Sequence, residues 1–176
     1  MLYLAYGSNL LPARLQARVP GARLVGTCRI PGRRLAFHLA GSDGSAKCDI
    51  PLERGACAFG ALYRIGVEGR GRLDAIEGLD VSYVRLGLRI LDSPEAGTAE
   101  AYVALEDRIE AGIRPYGWYK GLVLAGARYH GFPEDYVSAI SAVPELPDPN
   151  RSRALENLGV VEAGLAGPQS GGRNVP

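Results

Sequence analysis

Two stretches of this sequence carry residue types whose spacing suits chemistry. The first is Tyr3-Leu4-Ala5-Tyr6-Gly7-Ser8-Asn9-Leu10. Leu2, Leu4 and Tyr6 alternate with Tyr3 and Ala5, all apolar or aromatic, which predicts a strand buried on both faces. Gly7 permits a tight turn or a close approach by another molecule. Asn9 is placed to cap a helix, and Pro12 is tolerated in a first helical turn, where its missing N–H is not needed. A strand feeding such a junction leaves several backbone N–H groups unpaired around one spot, and that spot favours an anion. A plain strand–helix turn fits the same spacing.

The second stretch ends in Glu77. Leu73 and Ile76 mark the apolar face of a short predicted helix, and Glu77, four residues after Leu73, falls on or beside that face. It also lies in the last turn, where the helix dipole disfavours a negative charge by up to ~1 kcal/mol. Both features raise a carboxyl pKa, and a carboxyl so held can take and return a proton near neutral pH. The other reading is a partly exposed glutamate at a frayed helix end, beside an arginine such as Arg72. Further polar candidates are Tyr83, Tyr116, Tyr119, Tyr129 and Tyr136, in a chain with nine tyrosines and only three phenylalanines. Tyrosines pack as core while offering a hydroxyl, so most are core or rim. Tyr119 stands out because it shares a helix face with Val123.

The totals bound what these stretches can belong to. A length of 176 residues suits one domain with a sizeable core. Hydrophobic content of 47% and charged content of 22% are ordinary for a soluble chain. A net charge of +1 gives no electrostatic footprint for nucleic acid or membrane. No apolar run is long enough to span a bilayer, and no secretory signal is evident. Cys28, Cys48 and Cys57 match no metal-site spacing and read as reduced thiols of a cytoplasmic protein. His38 and His130 are the only histidines, far apart in sequence, which supplies a zinc site or a Ser-His-Asp triad poorly.

Around the two stretches, residues 10–18 read as an amphipathic helix with Leu11 and Leu15 inward and Arg14 and Arg18 on an exposed side. Strands are predicted over 22–30, with a turn at Pro31-Gly32, and over 35–39, with His38 on the polar side. Residues 41–55 read as a loop, and Ala56 to Ile65 as a strong strand in which Gly60 marks a bulge or a close approach. The glycines of 66–71 have the order of no nucleotide loop. A helix over 70–77 ends at Gly78. Strands follow over 84–91 and 97–104, joined through Asp92-Ser93-Pro94-Glu95. Helices are predicted over 115–129 and from Phe132-Pro133 to about Ile140. Beyond Ala142 come a proline-rich connector, a short helix near 153–158 and a Gly/Pro-rich tail from Ala163, read as a mobile appendage. The order is α+β with a mixed or largely antiparallel sheet, not a βαβ alternation.

These motifs together resemble the gamma-glutamylcyclotransferase family. Tyr3 to Leu10 resembles its opening motif. Leu73-Asp-Ala-Ile-Glu77-Gly78, followed by Tyr83 and a strand, is similar to the segment with its catalytic glutamate. Trp118-Tyr119-Lys120 through Ala125-Gly126-Ala127, with Gly131-Phe-Pro133 and Tyr136, is similar to its C-terminal helical signature. The resemblance covers residues 2–141 and leaves out the tail and the loop at 41–55. It implies a small mixed β-barrel with flanking helices, with residues 1–142 as the catalytic domain and 143–176 as an extension. It implies cleavage of a γ-glutamyl amide by internal cyclisation, releasing 5-oxoproline and an amine or amino acid, with no metal or cofactor. By match of position, Tyr3, Leu4, Ala5, Tyr6, Gly7, Ser8 and Asn9 would cradle the γ-glutamyl group. Glu77 would be the acid/base, and Tyr119 would hydrogen-bond at the site. The partner is then a small γ-glutamyl compound, with no nucleic acid or membrane, and a homodimer is compatible with the resemblance. The match in the last helices favours the general γ-glutamyl amino acid branch over the glutathione-specific one, and the leaving group is expected to be chosen by 41–55 and 116–118. Two rivals stand beside this: a hydrolase using Ser8, which lacks the Gly-x-Ser-x-Gly turn and a ready base, and a non-catalytic γ-glutamyl-binding module.

Overall fold

The computed structural model describes residues 1–93 and 97–165. In chain order the elements are β1 (Leu2–Ala5), a 3-10 turn (Ser8–Leu10), α1 (Pro12–Arg18), β2 (Arg23–Arg33), β3 (Ala36–Ala40), β4 (Ala46–Asp49) and β5 (Leu52–Arg64). Then follow α2 (Val67–Glu77), β6 (Tyr83–Ile90), β7 (Gly97–Ala104), a second 3-10 turn (Glu106–Arg108), α3 (Gly117–Tyr129), α4 (Glu134–Ser141) and α5 (Arg151–Leu165). The main sheet has the order β2-β5-β1-β7-β6, and β3 pairs with β4 in a separate ribbon. β1 lies at the centre, antiparallel to β5 and parallel to β7. That position explains its unbroken apolar run: Tyr3, Leu4 and Ala5 are all buried, and a central strand has no polar face to present.

The fold is mixed α+β, as the element order predicts. The implied barrel is not closed by a ladder: β2 and β6 are the two ends of the strand order among the described residues. Near them, the Arg29 N–H donates to Asp92 Oδ2 at 3.0 Å.

Several boundaries differ from expectation for identifiable reasons. Pro31-Gly32 is not a turn, because β2 continues through it to Arg33. The register against β5 shifts there, and Gly32 and Gly55 take positive φ of 74° and 85°. A proline is tolerated at this point because β2 is an edge strand. Residues 41–55 are not one loop, since β4 and the start of β5 fall inside them. β4 hides its strand character behind polar residues that find partners: Asp49 Oδ1 accepts the Ala104 N–H and Oδ2 meets His38 Nε2, both at 2.9 Å. The glycines at 69 and 71 lie within α2, which starts at Val67 rather than at 70. Gly60 marks a close approach, as a Cβ there would lie 2.4 Å from Leu4 Cδ1.

The expected short helix near 153–158 is the 15-residue α5, which takes in Ala163 to Leu165. It reaches the body of the molecule through Gly164, against the Leu11 side chain, and Asn157, bonded to Arg14. The rest of the expected tail, and positions 94–96 in the β6–β7 connection, lie outside the described residues.

Candidate active site

The opening motif builds the floor of a small pocket. The Leu10 N–H returns to the Gly7 carbonyl at 2.9 Å, closing the 3-10 turn. The N–H groups of the turn's first residues have no intrahelical acceptor. Gly7 is required for space rather than for its dihedral angles. Its φ is −106°, but a Cβ would lie 3.1 Å from Cys48 Cβ and 3.4 Å from the Tyr119 hydroxyl. From behind, α3 presses on the turn: a Cβ on Gly126 would lie 2.4 Å from Leu10 Cβ and 2.7 Å from the Leu11 nitrogen. The turn is thus wedged between α3 and β4, with Ser8 and Asn9 buried.

Asn9 does not cap a helix. The residue preceding α1 is Leu11, and the Asn9 side chain is spent on the site instead. Its Nδ2 lies 2.9 Å from Glu77 Oε1 and 3.0 Å from the Tyr3 hydroxyl, and its Oδ1 accepts from Arg18 Nη1 at 3.0 Å. Arg18 Nη1 also reaches Glu77 Oε1 at 3.5 Å. Asn9 thereby joins the first motif to the second. The arginine beside Glu77 is Arg18, 59 residues earlier, and not Arg72. Arg18 and Arg14, expected on an exposed side, both border the site.

Glu77 closes α2, which Gly78 terminates in the left-handed region at φ 66°. Its neighbour Leu73 is fully buried, whereas Ile76, expected on the same apolar face, is exposed. The Glu77 side chain keeps only 18% of its surface in solvent. Burial pushes its pKa above the usual carboxylate value, while Arg18 and the Asn9 hydrogen bond work against that rise. Both contacts fall on Oε1, and Oε2 takes no hydrogen bond among the described residues.

Tyrosines form the walls. The Tyr119 hydroxyl accepts the Cys48 N–H at 3.0 Å, and the Tyr83 hydroxyl donates to the Cys48 carbonyl at 2.9 Å. The Tyr6 hydroxyl donates to the Tyr102 carbonyl, and the Tyr102 hydroxyl to Asp74 at 2.8 Å. Burial raises the pKa of all four phenols. Tyr3, Tyr6, Gly7, Ser8, Asn9, Glu77 and Tyr119 therefore meet in one pocket. Leu4 and Ala5 do not border it and belong to the core. Tyr116 and Tyr136 are likewise core-packed, and Tyr129 is exposed. Sequence reasoning missed Tyr102 and Cys48 here. Cys48 acts through its backbone, which leaves no side-chain signal.

A second, outer pocket adjoins the first and shares Ser8, Glu77, Tyr83 and Tyr119 with it. Its further walls include Arg14, Arg18, Lys47, Gly41, Ser42 and Trp118. Lys47 Nζ lies 2.8 Å from both Asp43 oxygens and 4.9 Å from the centre of the Tyr119 ring. Neither histidine serves Ser8. His38 is paired with Asp49, and His130 Nε2 lies 2.8 Å from the Leu10 carbonyl. The three cysteines are unpaired thiols, with burial pushing the Cys28 and Cys48 pKa up to about 12. Among the described residues no cluster of His, Cys, Asp or Glu is placed to hold a metal, and no helix is long and apolar enough to cross a membrane.

With its buried Glu77 carboxyl bonded to the turn that follows the central strand of a mixed sheet, the chain is similar to proteins named gamma-glutamylcyclotransferase. Residues 58–140 match the model of the AIG2-like family. The gamma-glutamylcyclotransferase of Mus musculus is 29% identical over 150 residues, covering 81% of this chain and 78% of that one. That of Bos taurus is 23% identical over 162 residues, covering 89% and 85%. A solved structure of a gamma-glutamyl cyclotransferase shares the fold, with a TM-score of 0.80 at 23% identity over 92% of this chain and 98% of the other.

Proposed function

We propose that this protein cleaves γ-glutamyl amides by intramolecular cyclisation, releasing 5-oxoproline and an amine or amino acid. The observation that carries this reading is the Asn9–Glu77 contact at 2.9 Å, which places a carboxyl of raised pKa at the mouth of a backbone-lined turn. The activity of the named mouse and bovine relatives points the same way.

The chemistry asks little covalent help of the protein. The substrate's α-amine, in its neutral form, attacks the γ-carbonyl carbon. A new C–N bond closes the five-membered ring, and the bond to the leaving nitrogen breaks. One proton moves from the attacking nitrogen to the leaving one. Because the step is intramolecular, folding the γ-glutamyl chain back on itself supplies several kcal/mol of the acceleration, on the order of what orientation gives elsewhere. N–H groups of Gly7, Ser8 and Asn9 hold the substrate carboxylate or the developing oxyanion. Glu77 carries the proton: Oε1 is fixed by Asn9 and Arg18, and Oε2 is left to exchange it. The Tyr119 hydroxyl accepts from the Cys48 N–H, and we assign its own hydrogen to the substrate. Residues 1–142 form the catalytic unit and 143–176 an extension of it. The unpaired thiols suit a reducing compartment such as the cytoplasm.

The test is 5-oxoproline release from a panel of γ-glutamyl compounds, with Glu77→Gln beside the wild type. The expected result is turnover by the wild type and a loss of ~100-fold or more in the variant. Equal rates in both would overturn the role of Glu77. No release by either would favour a binding module.

A further inference from the structure

The helix that presents Glu77 is held to the molecule by little apolar packing of its own. Leu73 is the one buried side chain of α2. Val67 and Ile76, its other large apolar residues, are exposed. Glycines at 69 and 71 weaken the helix from within. Gly69 has a steric reason, since a Cβ there would lie 2.7 Å from Val19 Cγ1, whereas a Cβ on Gly71 would meet nothing within 4 Å. A helix built this way does not by itself fix its last side chain to the tolerance that proton transfer needs.

What fixes it is a row of alternating charges against the β6–β7 hairpin. Arg70 and Asp74 stand four apart on one face of α2. Glu100 and Tyr102 stand two apart on one face of β7, with Arg85 of β6 opposite Tyr102. Arg70 Nη2 meets both Glu100 carboxylate oxygens, at 3.1 and 3.0 Å. Arg85 lies between the two acids, with Nη1 3.5 Å from Glu100 Oε2 and Nε 3.6 Å from Asp74 Oδ1. The buried Tyr102 hydroxyl donates to the same Asp74 oxygen at 2.8 Å. Asp74 is the node of this row. Its backbone carbonyl also accepts the N–H groups of Gly78 and Leu79, which ends the helix just after Glu77. Part-exposed ion pairs contribute little to stability one by one. A buried phenol and a guanidinium on one carboxylate oxygen contribute direction.

Asp74 stands one turn before Glu77, and neither Asp74 nor Arg85 borders the inner or the outer pocket. Glu77 is therefore tied twice, at its carboxyl by Asn9 and through its helix by Asp74. We propose that Asp74, gripped by Tyr102 and Arg85, is a positioning residue for the reaction: it sets where the Glu77 carboxyl stands beside the glycine turn, without touching the substrate. This rests on the cyclisation reading and on Glu77 carrying the proton in it. Releasing the grip leaves the Gly7-Ser8-Asn9 turn in place, so the loss falls on turnover and not on binding.

A double-mutant cycle isolates this role. Asp74→Ala and Glu77→Gln are made singly and together, and 5-oxoproline release is followed with the γ-glutamyl compound that the wild type turns over fastest. Asp74→Ala alone is expected to lower kcat by roughly 10- to 100-fold, the effect of misplacing a reacting group by about 1 Å, with KM held within about threefold. In Glu77→Gln the same change is expected to cost less than about twofold, because the carboxyl it positions is already gone. Asp74→Asn keeps an acceptor for the Tyr102 hydroxyl and should recover part of kcat. Arg85→Met, whose wild-type side chain is 30% exposed, is run in the same cycle and takes the place of Asp74→Ala if that variant does not fold. Equal losses in the two backgrounds, or a raised KM at unchanged kcat, overturn the assignment of Asp74 while leaving the cyclisation reading intact. No release by the wild type, or equal rates in the wild type and Glu77→Gln, removes that reading, and this inference with it.

Discussion

The inner and outer pockets share a wall at Glu77 but are built by different means. The inner one is made by a short contiguous motif, by backbone, and by hydroxyls already spent on other backbone groups. The outer one is made by long charged side chains from α1 and β4, with α5 behind them. Backbone and buried hydroxyls fix distances, which suits a reaction that depends on orienting one invariant group. Long cationic side chains fix charge and adapt to shape, which suits recognition of a group that varies. The same division predicts how the two regions respond to change: the first to volume, the second to charge.

Gly7→Ala should break the inner pocket with the largest effect. The new methyl falls 3.1 Å from Cys48 Cβ and 3.4 Å from the Tyr119 hydroxyl, in the pocket proposed for the γ-glutamyl group. A fall in kcat/KM on the order of 100-fold is expected, similar across the panel of γ-glutamyl compounds. A loss confined to one of them would mean that the two pockets are not separable. Gly126→Ala acts at one remove. Its methyl would meet Leu10 Cβ at 2.4 Å and the Leu11 nitrogen at 2.7 Å, and backbone cannot swing aside as a flexible side chain does. Overpacking of this kind costs about 1–3 kcal/mol, measurable in denaturant unfolding. An unchanged midpoint would show that the turn is not wedged as described.

What could be read from sequence follows the same divide. Gly7 and Glu77 were legible because each breaks a local pattern: a glycine at the end of a wholly apolar strand, an acid on the side of Leu73. Arg18 was not, because within α1 it satisfies the amphipathic pattern, with Leu11 and Leu15 buried behind it. Its value lies in a carboxylate 59 residues away. α5 departs from the usual pattern, burying Asn157 and Gly164 beside the core-packed Ala154 and Val161 while exposing Leu155 and Leu158, so periodicity marks only a fragment of it. β4 was lost for a related reason: its Lys47 and Asp49 look like loop residues until Asp43, His38 and the Ala104 N–H supply their partners. Local rules report local partners. The apolar run of β1 and the turn after it obey them, whereas the Arg18–Glu77 pair is settled by tertiary contact.

The smallest effect concerns the shared wall itself. Glu77 has a folded-state pKa raised above its unfolded one by burial, partly offset by Arg18 and Asn9. A carboxyl of this kind contributes stability that is fully present below the unfolded pKa and is lost as pH rises through the folded pKa. Glu77→Gln cannot ionise and should track the wild type near pH 4, where Glu77 is protonated. It should then become the more stable of the two as pH rises toward neutrality. Thermal midpoints of both proteins across that range would check this. The opposite trend, with the variant losing stability at neutral pH, would mean that the Arg18 contact outweighs burial and that Glu77 is held as a structural ion pair rather than as a carboxyl poised to exchange its proton.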